Sequence, residues 1–168
     1  MVSLNFSSLG NNPVNWIDPK GLFRLHLGNA TKKQIEAINK AINMLNKAAS
    51  KKCSGAKPYF KKFNIDIATV LKPGQGPDVY IQTMSDYGYY HPVSNYIAIT
   101  SGILGSPQAI ASTLIHEAGH WANDVSGLNP DISDVPSFES PDPEDGPYGY
   151  AAEIMTFGFI YGADGESI

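Results

Sequence analysis

Residues 116–120 read His-Glu-Ala-Gly-His, an HExxH run. On a helix, two histidines four residues apart lie on one face, one turn apart, so both imidazoles can reach a single zinc ion. Glu117 projects to a neighbouring part of that face, where a carboxylate can take a proton from an activated water. Those residue types at that spacing point to metal-assisted hydrolysis, with His116 and His120 as ligands and Glu117 as the catalytic base.

A catalytic zinc wants three protein ligands and one open position. The chain has four histidines, and His26 and His91 are the two outside the motif. The longer HExxHxxGxxH form is absent, since Asn123 and Ser126 stand where its glycine and third histidine would be. A carboxylate is therefore expected. Glu153 is the leading candidate because a helix holds a ligand more firmly than a loop. Asp131, Asp134 and Glu139 are the alternatives. Asp124, four residues after His120, could fix the tautomer of a ligand imidazole. His91, Tyr148, Tyr150 and Tyr161 are candidates for donating a hydrogen bond to a tetrahedral oxyanion.

The elements that must position these groups are partly legible. Ser106-Pro107 supplies an N-cap hydroxyl and a proline at the first helical position. Ile110, Leu114, Ala118 and Ala122 then recur at helical spacing, and Gly127 is a natural stop. Tyr96 to Thr100 reads as a strand feeding that helix. Thr31 to Gln34 is a Thr-x-x-Gln capping box that opens a helix ending near Ser50. Phe63 to Leu71 and Val79 to Ile81 read as strands, and residues 84–95 as a Tyr-, Gly- and Pro-rich connection. Residues 126–149 read as a long polar loop, and Tyr150 to Tyr161 as a second helix bearing Glu153.

The 168 residues suit one domain with its own core, and 42% apolar with 17% charged residues is globular usage. No stretch approaches a membrane span, and no basic-then-apolar start suggests a signal peptide. Cys53 stands alone, which suits a reducing compartment and excludes an internal disulfide. Charge is polarised. All 12 Lys and Arg lie within residues 1–72 with three acids, hence +9; the other 13 acids lie beyond, with no base, hence −13. No cationic side chain near the motif in sequence can stabilise an oxyanion, which leaves His, Tyr or the metal. The lysines at 32, 33, 40, 47, 51 and 52 read as a solvated helix face rather than a nucleic-acid patch.

Two family resemblances appear. Residues 13–22, Pro-Val-Asn-Trp-Ile-Asp-Pro-Lys-Gly-Leu, resemble the P-x4-DPxGL signature closing the core of rearrangement-hotspot (Rhs) repeat proteins. That resemblance implies a core remnant over 1–22, with Asp18 in a self-cleavage motif, a junction after Leu22 and a toxin domain over 23–168. The second resemblance is to zincin metallopeptidases. His116, Glu117 and His120 match the motif, and Glu153-Ile-Met-Thr-Phe-Gly is similar to the Glu-x-x-Thr-x-Gly stretch of NleD-like bacterial effector proteases. Together they imply an α+β zincin-like domain whose HExxH helix packs on a short mixed sheet. They also imply one Zn2+ per chain, a target-cell protein or peptide as substrate, and the parent Rhs shell and an immunity protein as partners. A bacterial secretion system would deliver the toxin into the target cytoplasm. Rival readings are a zinc hydrolase of peptidoglycan peptides, a zinc-stapled binding module without catalysis, and a nuclease.

Overall fold

The computed structural model describes residues 23–72, 75–135, 147–162 and 164–167. The Asp18 and Leu22 cleavage motif and the alternative ligand Glu139 lie outside the described residues. Within them the fold is α+β, with five helices and a four-stranded mixed sheet. The strands are β1 (Arg24–His26), β2 (Asp78–Gln82), β3 (Gly88–His91) and β4 (Tyr96–Thr100). Their spatial order is β1-β2-β4-β3, with β1, β2 and β4 parallel and β3 antiparallel to β4 at the edge. The helices are α1 (Lys32–Ser50), α2 (Ala56–Lys61), α3 (Ile67–Val70), α4 (Pro107–Ser126) and α5 (Tyr148–Phe157).

Helix α4 carries the HExxH run and is central. Ser106 Oγ accepts from the Ala109 amide at 3.2 Å, Pro107 opens the helix, and Gly127 at φ 60° closes it. Helix α4 packs against α1, α5, β3 and β4, so its apolar side chains are buried well beyond a single stripe. Helix α1 opens with the expected Thr31–Gln34 capping box and buries Ile38, Ile42 and Leu45. None of the helices among the described residues is long and apolar enough to cross a membrane.

Three expectations need correction. Phe63 to Leu71 is not a strand. Asn64 turns the chain at φ 58°, Asp66 caps the next amides through a 3.0 Å bond to Ala68, and Ile67 to Val70 forms the short helix α3. Buried Phe63, Ile67, Val70 and Leu71 follow helical intervals there, not alternation. The 84–95 connection contains β3, whose Tyr89 and Tyr90 pair with Ala98 and Ile97 in a hairpin closed near Asn95, at φ 51°. The helix expected over 150–161 starts two residues earlier and stops at Phe157, because Gly158 at φ 89° ends it.

Tyr59 of α2 fastens the start of α5. It is fully buried and donates to the Tyr148 carbonyl at 2.7 Å, while the Tyr148 ring meets Phe63 edge-on. Burial, with a smaller contribution from Tyr148, pushes the phenol well above its ordinary pKa, so it stays a donor. Tyr59→Phe keeps the volume and loses the bond, which costs about 1 kcal/mol. Thermal denaturation should show a midpoint lower by about 2–4 °C.

Candidate active site

The site lies where α4, the first turns of α5 and the edge strand β3 meet. His116 and His120 face each other with Nε2 atoms 3.1 Å apart and ring centroids 4.9 Å apart. His116 is buried, and so are Glu117 and Glu153. Two nitrogens bound to one tetrahedral zinc at ordinary Zn–N lengths stand about 3.3 Å apart. The observed pair therefore fits two ligands of one ion. Among the described residues no three His, Cys, Asp or Glu side chains converge as a complete cage.

Helix α5 brings Glu153 to His116, but to Nδ1 rather than to the Nε2 side where the expected third ligand would stand. Glu153 Oε1 lies 2.7 Å from Nδ1 of His116, and Oε2 accepts from the Ser112 hydroxyl. In this arrangement the carboxylate holds the imidazole ring. With the Nδ1 proton given to Glu153, an assignment made from the hydrogen-bond network, Nε2 of His116 presents its lone pair toward His120.

Three glycines make the room. A Cβ at Gly149 of α5 would run into the His116 ring, reaching Cε1 at 2.6 Å and Nε2 closer still. A Cβ at Gly119 would lie 2.5 Å from the Tyr148 carbonyl oxygen, so that glycine lets α5 approach α4. At Gly88 on β3, a Cβ would meet Thr113 of α4 and come within 3.1 Å of Glu117 Oε1. Glu117 is thus seated beside an edge strand that presents no side chain at that point.

The remaining candidates separate clearly. Tyr150 joins the site, its ring edge-on to His116 with centroids 4.6 Å apart. Tyr148 turns to Phe63. Tyr161 packs on Phe157 and Phe159, and only its amide reaches inward, 3.4 Å from Ser112 Oγ. His91 stacks on Tyr96 and accepts from the Ser94 amide. Strand alternation puts it with Tyr89 on the sheet face opposite Gly88 and Tyr90, away from α4. Asp124 accepts from Tyr90 at 2.9 Å, tying β3 to α4. Burial, then that bond, pushes the Tyr90 phenol well up. Hydrogen bonds from the Ser133 hydroxyl and then from its amide, the latter at 2.9 Å, hold the Asp131 carboxyl below the usual range, and Asp134 pairs with Lys62 at 2.8 Å.

Ser112, Gly149, Gly88 and Tyr90 were not singled out in the sequence. Ser112 and Gly149 had a usable signal, each lying four residues before a motif side chain on the same helix. The pairing of β3 with α4 had none. No protein-family model, curated protein or solved structure matches this chain.

Proposed function

We propose that residues 23–168 form a zincin-like metallopeptidase that hydrolyses peptide bonds of a target-cell protein. The observation that carries this reading is the His116–His120 pair, with Nε2 atoms 3.1 Å apart beside two buried carboxylates, Glu117 and Glu153. Three parallel strands with an antiparallel edge strand alongside the HExxH helix agree with the zincin-like fold. The delivery route, the Rhs shell and an immunity partner rest on the 13–22 motif.

His116 and His120 would hold the zinc through Nε2, and Glu153, seated on Nδ1, would stand behind His116 rather than at the metal position. Bound zinc would supply Lewis acidity toward a carbonyl oxygen and a water at neutral pH. Glu117 accepts the proton of the attacking water and hands it to the departing amine nitrogen, so its burial beside the edge strand keeps bulk water from competing. Glu153 fixes the tautomer and tilt of His116 through Nδ1. Tyr150, edge-on to His116, is the tyrosine best placed to donate to a developing oxyanion.

Elemental analysis of wild type, Glu153→Ala and Asp131→Ala tests the metal reading. Wild type should carry one zinc per chain, and Asp131→Ala should match it, because that carboxylate serves its own turn. Glu153→Ala should bind zinc at least about tenfold more weakly. Losing an orienting carboxylate costs about 10–100-fold in metal affinity, and losing a ligand costs more. A wild-type protein free of zinc after metal supplementation overturns the proposal.

A further inference from the structure

The Ser112 hydroxyl is 2% exposed, one turn before His116 on α4. A buried helical serine ordinarily turns its hydroxyl back to a carbonyl of the preceding turn. Here it donates to Glu153 Oε2, and the Tyr161 amide donates to it at 3.4 Å. A hydroxyl has one proton to give and lone pairs to receive. The incoming amide occupies a lone pair, so the hydroxyl proton is directed at the carboxylate.

The Tyr161 amide is itself held by structure. The chain doubles back in a turn that pairs Tyr161 with Ser167, with the Gly162 amide on the Glu166 carbonyl at 2.8 Å. Gly165 in that turn sits against Ser106 Oγ at the start of α4. A continuous hydrogen-bonded chain thus runs from the C-terminal turn through Ser112 to Glu153, which also accepts from Nδ1 of His116.

We infer that Ser112 is a positioning residue of the metal site: braced by the C-terminal turn, it fixes Glu153 and thereby the angle at which His116 offers Nε2. This rests on the zinc reading above. Without the hydroxyl, Oε2 of a buried carboxylate loses a partner, and the carboxylate must pivot to find another. Its grip on Nδ1 moves with it.

Thr156 provides the matched control. It lies one turn after Glu153 on α5, is also buried, and its hydroxyl oxygen has no hydrogen-bond partner. Zinc affinities of wild type, Ser112→Ala and Thr156→Val should be measured by chelator competition, with absorption spectra of the fully loaded Co(II) forms. Ser112→Ala should weaken zinc about tenfold and shift the cobalt bands, while Thr156→Val leaves both unchanged. Equal affinity and superimposable cobalt spectra for Ser112→Ala and wild type would overturn the inference. So would a Thr156→Val protein that weakens zinc as much as Ser112→Ala. Failure of the zinc reading itself is seen separately, as absence of zinc from wild type before any variant is made.

Discussion

Glu117→Gln should leave the zinc content and melting temperature of the protein at wild-type values while reducing peptide hydrolysis by about 10²–10⁴-fold. The substitution keeps the shape and volume of a side chain that is 6% exposed. An amide can still hydrogen-bond a water, yet it cannot accept that water's proton at neutral pH. Glu117 also lies close to Gly88 of β3, so a shorter residue would open space there and mix a packing effect into the result. Glutamine avoids that confusion. Release of fragments from a peptide library, and growth arrest of cells expressing the domain, are the two readouts. A Glu117→Gln protein that hydrolyses peptides or arrests growth as wild type does would sink the peptidase reading. The zinc-stapled module would then be the stronger account.

The placement of the motif side chains was legible in the sequence because a helix converts spacing into direction. His116, Glu117 and His120 needed only the helix to be brought together, and Ser106, Pro107 and Gly127 announced its ends. Glu153 was legible as a partner of that face because its apolar neighbours implied burial, and it is buried. The nitrogen it would meet was not, since that depends on how closely α5 approaches α4. That distance is set by Gly119 and Gly149, two absent side chains. Tertiary contacts also overrode local pattern in the sheet. Strand β3 hid among Gly and Tyr residues that read as a loop, and it exists through its ladder with β4 and the Tyr90–Asp124 bond. The apparent strand over 63–71 failed for the converse reason, because the Asp66 cap and the Asn64 turn favour local helical bonds.

Gly149→Ala sets a local preference against a tertiary collision, and magnitudes decide the outcome. Within a helix, alanine is favoured over glycine by about 1 kcal/mol. Against that, the new methyl would overlap the buried His116 ring, and overpacking of this kind costs about 1–3 kcal/mol. The two nearly offset, so thermal denaturation should show only a modest loss of stability. Metal affinity has no such compensation. The ring atoms in the way include Nε2, the nitrogen proposed to bind zinc, and Glu153 sits one turn further along the same helix. Whichever element yields, the ring tilting or α5 backing away, the match between Glu153, His116 and His120 is lost. Zinc affinity should therefore fall by at least about tenfold while the fold survives, a separation that a purely structural glycine would not produce. Circular dichroism melts paired with chelator competition read both quantities. A Gly149→Ala protein that holds zinc as tightly as wild type would show that the approach of α5 to His116 does not govern the site.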